Sequence, residues 1–166
     1  MTVSAWRIVR KEHLAVAFTG EGAQLYPGRW NSPGVSMVYT AGSISLAMLE
    51  ILVHLRGVTR LPEYRLVEVR NDESLVADIE ASQLPRGWRR YPPPAGCRRL
   101  GDEWARQQRS AVLRVPSVIT GEPNYLLNPA HLQFADLEIG KAHRLALDAR
   151  LLPESLQPQV KPRRKR

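Results

Sequence analysis

Short apolar runs rich in β-branched and aromatic residues recur along the chain, and each predicts a β-strand. The clearest run lies at residues 65–70, where successive side chains alternate between two faces, as they do in a strand. The predicted strands comprise residues 6–9, 37–40, 65–70, 111–115 and 133–139.

The helical period is strongest at residues 44–56, directly after Ser43, which we expect to cap the helix N-terminus. Apolar residues lie on both faces of this helix, so it is predicted to be largely buried. Further helices are predicted at residues 102–109 and, over a shorter span, at 13–18. The mixture predicts a single α+β domain in which short helices flank a mixed β-sheet core.

Two segments lack a clear period. Residues 81–100 contain four of the thirteen prolines, which predicts a functional loop or a flap. Beyond residue 150 the apolar content falls and prolines recur. We therefore expect a domain over residues 1–150 and a proline-rich basic tail over residues 151–166.

The composition fits one soluble globular domain, since 43% of the 166 residues are hydrophobic and 24% are charged. Cys97 is the only cysteine, so a disulfide framework and a zinc site are not expected. No apolar run reaches the length of a membrane span, and the first ten residues do not resemble a leader. We expect a cytoplasmic protein with no membrane contact.

The net charge of +8 raises the question of a nucleic-acid partner. Five of the positive charges lie in the terminal run 161–166, however, which leaves only +3 on residues 1–160. A second basic stretch, at residues 86–99, interleaves arginines with Trp88 and Tyr91 and could bind single strands. Its prolines favour a surface loop, so direct nucleic-acid binding is kept as an alternative and is not expected.

The segment 20–34 reads GEGAQLYPGRWNSPG and is the first candidate for chemistry. Its glycines allow close backbone approach to a ligand, and Arg29 would offer a rigid fork of donors suited to phosphate. The alternative is a turn-rich hairpin in which Arg29 is a surface charge and Trp30 a core anchor. The segment matches neither the P-loop pattern nor the Rossmann glycine pattern.

The predicted helix 44–56 carries the second candidate, a polar seam formed by Ser43, Glu50 and His54. A carboxylate on an apolar helix is paired, protonated or directed into a cleft, because a charge in an apolar site is costly. Glu50 therefore either faces a functional cleft or pairs with His54 four residues later.

The third candidate is the stretch 115–131, in which two strand-like runs end in polar residues. Ser117 follows the first run, but no nucleophile-elbow pattern surrounds it, so we expect it to hydrogen-bond a ligand hydroxyl or another side chain. Asn128 and His131 follow the second run, and a structural role is the simpler interpretation of the histidine.

Five motifs occur in the same order as in a known protein family. Together they resemble the RES domain over about residues 6–139. The resemblance implies a fold similar to that of the ADP-ribosyltransferases and the activity of a bacterial toxin that degrades NAD. The motifs are G-R-W-N-S-P-G at residues 28–34, V-Y-T at 38–40, A-M-L-E at 47–50, V-P-S at 115–117 and N-Y-L-L-N-P-A-H at 124–131.

The family is named for an arginine, a glutamate and a serine, which Arg29, Glu50 and Ser117 resemble by position. Tyr39 is similar to a tyrosine of the same pocket. The resemblance implies that Arg29 holds the pyrophosphate of NAD and that Glu50 stabilises positive charge on the ribose. The expected catalytic residues are Arg29, Glu50 and Ser117, and the expected NAD-binding residues are Arg29, Trp30, Tyr39 and Asn128.

NAD+ is the expected substrate, with no cofactor and no metal. The resemblance leaves the acceptor open: water gives a glycohydrolase, phosphate a phosphorylase, and a protein side chain a mono-ADP-ribosyltransferase. Met48 and Leu52 stand where a transferase often has a second carboxylate, which disfavours that third outcome. The expected partner is an Xre-like DNA-binding antitoxin, and a homodimer is a further expectation. An inactive scaffold is the remaining alternative.

Overall fold

The computed structural model describes residues 1–55 and 57–157. In this part of the chain, eight strands form one sheet in the order β4-β5-β6-β2-β1-β3-β7, and β8 pairs with β3 beside β7. Neighbouring strands run antiparallel except for the parallel pair β4 and β5. The strands are β1 (Thr2–Arg10), β2 (Val38–Ala41), β3 (Tyr64–Asp72), β4 (Val76–Asp78), β5 (Val112–Pro116), β6 (Pro123–Leu127), β7 (Glu138–Ile139) and β8 (His143–Leu145).

The helices of the described chain are short, and the α+β prediction is confirmed. None of them is long and apolar enough to cross a membrane, within the residues that the structure describes. The α-helices are α1 (Glu21–Leu25), α2 (Ile44–Leu52) and α3 (Ala95–Gln107). The 3-10 turns are Lys11–Val16, Glu73–Leu75, Ala81–Gln83, Leu132–Asp136, Ala149–Leu151 and Glu154–Leu156.

Register divides the central strands into two faces. Ala41 of β2 lies opposite Asn124 of β6, and Asn124 in turn lies opposite Val115 of β5. Directly opposed residues share a face, and so do residues two apart along a strand. Tyr39, two residues before Ala41, therefore lies on the same face as Asn124. We call this side of the sheet the helical face.

Helices α2 and α3 both cover the helical face. Ala41 packs in one buried cluster with Leu46 and Ala47 of α2. A second cluster joins Trp104 of α3 to Leu126 of β6. Tyr39 and Asn124 thus lie on a strip of the sheet between the two helices.

The start of α3 was missed by the sequence prediction, which placed a helix only at residues 102–109. The observed helix begins at Ala95, directly after three consecutive prolines. Its buried stripe contains Cys97, Gly101 and Ala105, which are spaced four apart as on one helix face. Gly101 is pressed so closely on Trp30 that an added Cβ would stand 1.8 Å from the Trp30 carbonyl oxygen.

The helix predicted over residues 44–56 is shorter, and less buried, than the sequence predicted. The helix ends at Leu52, and Leu49 and Val53 are 39% and 52% exposed. The apolar pattern continues past the end because Leu55 is buried in a following turn, in which its N–H donates to the Leu52 carbonyl. Arg56 lies outside the described residues.

The predicted strand at residues 133–139 was also largely wrong. The chain forms a 3-10 turn over Leu132–Asp136, and only Glu138–Ile139 pairs with the sheet. Phe134 and Leu137 both pack on the core. Phe134 and Leu137 are three residues apart, which matches one turn of a 3-10 helix. The sequence prediction mistook these apolar residues for a strand.

The predicted tail is described only to residue 157. Leu152 packs into the protein interior with 7% exposure, so part of this segment adheres to the domain. The basic run 161–166 lies outside the described residues, and the boundary at residue 150 stays a prediction.

Candidate active site

Glu50 is held by two side chains, one directly after strand β5 and one on strand β6. Its Oε1 atom accepts a hydrogen bond from the Ser117 hydroxyl at 3.0 Å and another from the Asn124 amide nitrogen at 2.8 Å. We find no hydrogen bond to its Oε2 atom from the described residues. The contact between Glu50 and Ser117 joins two residues that the sequence had singled out separately.

Local structure explains why these three side chains meet. The Ser43 hydroxyl accepts the Leu46 N–H at 3.1 Å, which confirms the predicted N-cap and fixes where α2 begins. At the far end of β5, Ser117 bonds through its backbone to Glu122 and Gly121, closing a tight turn into β6. This turn brings Ser117 beside Asn124, and α2 places the Glu50 carboxylate within hydrogen-bond distance of both.

Arg29 lies in the glycine-rich segment and fastens it to the loop before α3. Its Nη1 atom donates to the carbonyl oxygens of Trp88 and Arg90 at 2.5 Å and 3.0 Å. Among the described residues, no hydrogen bond from its Nε or Nη2 atom is found. Arg29 is half-buried, and part of its guanidinium has a fixed structural task in holding this loop.

Tyr39 is the centre of a second hydrogen-bonded group. Its hydroxyl donates to the Asn31 side-chain oxygen at 2.7 Å and accepts the Trp30 N–H at 3.0 Å. The same Asn31 oxygen accepts the Gly28 N–H at 2.8 Å. Burial raises the pKa of the Tyr39 hydroxyl above its ordinary value, so the group is a neutral donor at neutral pH.

Gly28 is needed because the Tyr39 ring lies against it. A Cβ at residue 28 would stand 2.7 Å from the Cζ and hydroxyl oxygen of Tyr39. A larger residue would therefore displace the ring or the backbone that leads into Arg29. The sequence predicted that these glycines allow close approach to a ligand, whereas the close neighbour of Gly28 is the Tyr39 side chain of the protein itself.

The two groups share one face of the sheet. Tyr39 and Asn124 are diagonal neighbours across β2 and β6, at a separation typically about 7 Å. No hydrogen bond or ion pair joins Arg29 to Glu50 in the described chain. The Glu50 carboxylate lies at one end of the strip. The Tyr39 hydroxyl, which accepts the Trp30 N–H next to Arg29 in sequence, lies at the other end.

The two remaining residues that were predicted to bind NAD, Trp30 and Asn128, are buried among other groups of the protein. Trp30 is 3% exposed and packs in the core with its ring 6.4 Å from that of Trp88, as the core-anchor alternative proposed. Asn128 is 1% exposed, donates to the Ala105 carbonyl and accepts the Ala130 N–H. The predicted ligand contacts of Trp30 and Asn128 therefore find no support in this geometry.

Both histidines of interest have other surroundings. His54 is exposed, and Glu50 bonds to Ser117 and Asn124 in place of the pair with His54 that was one alternative. His131 caps the 3-10 turn that follows it, since its Nδ1 accepts the Gln133 N–H. The structural interpretation of His131 is confirmed.

Asn124 is the main residue that the sequence analysis overlooked. It is the first residue of the N-Y-L-L-N-P-A-H motif, whereas the sequence prediction named the second asparagine, Asn128. A polar residue at the beginning of a strand, opposite the small Ala41, was the available signal. Asn31 and the buried Asp102, which accepts the Ser32 N–H at 2.8 Å, were overlooked as well.

No group of three or more His, Cys, Asp or Glu side chains placed to hold a metal ion occurs in residues 1–55 and 57–157. The groups that the site itself presents are an oriented carboxylate, a hydroxyl, amide groups and guanidinium donors. Such a set suits a substrate that develops positive charge beside a phosphate.

Comparison with known proteins places these residues in a family context. The profile of the RES domain matches residues 4–148. The protein "Toxin Res" of Yersinia enterocolitica is 41% identical over 130 residues, which cover 78% of this chain and 86% of that protein. The "Prs ADP-ribosylating toxin" of a Sphingobium species is 39% identical over 159 residues, covering 92% and 98%.

Among solved structures, a chain of the M. tuberculosis MbcT-MbcA toxin-antitoxin complex superposes with a TM-score of 0.72. The match covers 87% of this chain and 85% of the other, at 19% sequence identity. At that identity the likeness shows a shared fold.

Proposed function

This chain belongs to the RES domain family, and on that premise we propose that it is the toxin of a bacterial toxin–antitoxin pair and that it degrades NAD+. The reaction is cleavage of the bond between the nicotinamide nitrogen and the ribose. The observation that carries the proposal is the Glu50 carboxylate, which is fixed through one oxygen by Ser117 and Asn124.

Glu50 suits the electronic demand of this cleavage. The bond between ribose C1 and the nicotinamide nitrogen breaks, its electron pair leaves on nicotinamide, and the ribose gains positive charge. A carboxylate held in place beside that carbon binds the charged transition state more tightly than the ground state. Nicotinamide leaves as a neutral molecule, so the site requires no strong acid.

Arg29 supplies donors for the phosphate end of the substrate. One of its nitrogens is occupied by the carbonyls of Trp88 and Arg90, which fixes the guanidinium in one orientation. The other nitrogens remain for charge-assisted hydrogen bonds to the pyrophosphate. Tyr39, whose hydroxyl is neutral and bonded to Asn31, would present its ring to the nicotinamide ribose.

The group that replaces nicotinamide on the ribose determines which product forms. With water, an oxygen bonds to C1, a proton is released and ADP-ribose forms. With phosphate the product is ADP-ribose 1″-phosphate. Transfer to a protein is the second candidate function, and it is favoured by the name of the Sphingobium relative, an ADP-ribosylating toxin.

Product analysis tests the proposal. Purified protein is incubated with NAD+, with and without phosphate and with and without cell extract, and the products are separated by liquid chromatography and mass spectrometry. Release of nicotinamide with ADP-ribose or its phosphate ester supports NAD+ degradation. ADP-ribose attached to an extract protein supports the transferase. Intact NAD+ under every condition contradicts both NAD+ degradation and transfer.

The variant Glu50→Gln ties the activity to the site. Losing one oriented electrostatic contact typically lowers kcat by about 10² to 10³. The exposed Glu103, on α3, provides a matched Glu→Gln control that should keep wild-type turnover. Nearly normal turnover by folded Glu50→Gln would remove Glu50 from the mechanism.

An antitoxin is the proposed partner, of the Xre-like DNA-binding type. The structural neighbour is a chain of a toxin-antitoxin complex, which supports a partner of this kind. A segment of that partner with acidic groups could compete with NAD+ at Arg29, because opposite charges attract it to the same donors. A homodimer of this chain is a further part of the proposal.

A further inference from the structure

Arg89 occupies a position that the proposed mechanism does not use. Its backbone lies between Trp88 and Arg90, and the carbonyls of both neighbours accept hydrogen bonds from Arg29. The loop is further fixed by the Trp88 ring, which packs on Trp30. The backbone of Arg89 is therefore held directly beside the Arg29 guanidinium.

The side chain of Arg89 extends toward the other half of the site. Its guanidinium carbon lies 5.0 Å from the centroid of the Trp88 ring. Its Nη2 atom lies 3.7 Å from the point where a Cβ of residue 121 would stand. Gly121 belongs to the turn that holds Ser117, since its N–H donates to the Ser117 carbonyl at 2.9 Å.

Arg89 thus lies near both halves of the site. Its backbone touches the group around Arg29, and its guanidinium reaches the turn behind the residue that bonds to Glu50. The Arg89 guanidinium therefore lies near the turn that carries Ser117, while its backbone belongs to the loop whose carbonyls hold Arg29. The exposed arginines Arg86 and Arg99 have no such contact with both halves in the described chain.

The charge of Arg89 is available to a ligand. The side chain is exposed, and none of the ion pairs found in the described residues includes it. Stacking on Trp88 restricts its rotamers, so binding an anion would cost less conformational entropy than for a free surface arginine. A planar guanidinium in this state suits a phosphate group.

We propose that Arg89 is a second phosphate-binding arginine, which contacts the pyrophosphate of a dinucleotide or nucleoside-diphosphate sugar lying between Arg29 and Glu50. This inference rests on the proposed function for the identity of the ligand. It adds a residue outside the five motifs, in the loop that the sequence analysis singled out as basic and aromatic.

The test measures binding of ADP-ribose, which carries the pyrophosphate and needs no turnover. The variant Arg89→Met keeps an unbranched stem over Trp88 and removes the charge. We expect its Kd for ADP-ribose, measured by calorimetry, to rise about tenfold, because charge-assisted hydrogen bonds are the strong ones. The matched variant Arg86→Met should stay within about twofold of wild type.

Kinetics and a second variant separate binding from a structural effect. With NAD+, Arg89→Met should raise KM with little change in kcat, since the contact is present in ground and transition states alike. Arg89→Lys keeps the charge and should recover part of the affinity. Thermal unfolding of each variant checks that the loop and domain remain folded.

The outcomes distinguish this inference from the proposed function. Equal ADP-ribose affinity in wild type, Arg89→Met and Arg86→Met would overturn the inference and leave NAD+ degradation standing. Selective loss in Arg89→Met, in a protein that leaves NAD+ intact, would support the phosphate site and contradict the proposed reaction. Absence of ADP-ribose binding by wild type would overturn the inference directly.

Discussion

Glu50 uses its two carboxylate oxygens differently. Oε1 accepts both the Ser117 hydroxyl and the Asn124 amide, and we find no donor to Oε2 among the described residues. Such an arrangement leaves one oxygen to face a substrate while the other fixes its direction. In the proposed mechanism Asn124 would be a positioning residue, because it would act on the substrate through Glu50.

Replacing Asn124 tests this positioning role. Asn124→Asp has nearly the same shape but exchanges the donor for a carboxylate that faces Glu50. We expect kcat to fall at least tenfold, and further than in Asn124→Ala, because a hydrogen bond to a charged group is worth about 1.5–3 kcal/mol and repulsion adds to its loss. Steady-state kinetics with NAD+ provides the measurement.

A double variant gives the control for Asn124. In a Glu50→Gln background, Asn124→Ala should cost little additional activity, since residues that act as a unit are not additive. Fully multiplicative losses in the double variant would mean that Asn124 acts independently of Glu50, contrary to the positioning role.

Tyr39 predicts a pH dependence of stability with a definite sign. Burial raises the pKa of its hydroxyl in the folded protein, whereas the unfolded chain titrates near the ordinary value of about 10. Above that pH the unfolded chain loses a proton that the folded chain keeps. The stability contributed by Tyr39 is therefore present at neutral pH and falls as pH rises above about 10, by at most about 1.4 kcal/mol per pH unit.

The comparison is between wild type and Tyr39→Phe in urea unfolding from pH 8 to 11. The variant leaves the Trp30 N–H without its partner and should be less stable at pH 8 by about 1–3 kcal/mol. The difference between the two proteins should narrow toward pH 11. A constant difference over that range would show that the Tyr39 hydroxyl titrates alike in both states.

Residue-scale prediction from the sequence succeeded where the cause was local. Ser43 was predicted as a cap because the residue type and the following helix are adjacent in sequence. The bond between Asn124 and Glu50 spans 74 positions and depends on β2 pairing with β6. Nothing near either residue encodes that pairing, so Asn124 was found only in the structure.

At the scale of elements, helix α3 is held on the sheet by an unusually close contact. Gly101 lies so near the Trp30 backbone that any side chain there must displace the helix. Trp30 precedes Asn31, which bonds to Tyr39, so a displaced helix would disturb the site as well. The contact explains why the buried stripe of α3 contains a glycine.

The pair Gly101→Ala and Gly22→Ala tests this packing. Gly101→Ala should lower the free energy of unfolding by at least about 1–3 kcal/mol, the usual cost of overpacking. Gly22 lies in helix α1, where an added Cβ meets nothing within 4 Å, and alanine is the better helix former. Gly22→Ala should therefore be neutral or slightly stabilising in the same urea titration.

Elements were predictable where one period dominated. The strand at residues 65–70 was found because its alternation is regular, and it extends over Tyr64–Asp72. The first two turns of α3 were missed because Arg98 and Arg99 interrupt the apolar pattern that begins at Cys97. A pattern shows which side chains are apolar, but packing decides whether their spacing is helical or extended.

On the scale of the whole molecule, the sheet brings distant parts of the chain to one strip. Strand β2 is the sequence neighbour of both the Arg29 segment and α2, and it lies beside β6, which begins next to Ser117. The site therefore exists only when the central strands are paired. Ligand binding and folding should then be thermodynamically linked, because a ligand that recognises this strip binds the folded chain alone.

This linkage predicts a thermal shift that does not depend on turnover. In Glu50→Gln, which should bind NAD+ without consuming it, a concentration of 100 times Kd would stabilise the fold by about 2.7 kcal/mol. For a domain of this length, Tm should rise by about 5–10 °C in scanning calorimetry. Nicotinamide at the same concentration is the control and should give a much smaller shift, because it lacks the phosphates that Arg29 and Arg89 are proposed to hold. An equal shift from nicotinamide alone would show that the phosphate end contributes nothing, and would contradict the assignment of both arginines.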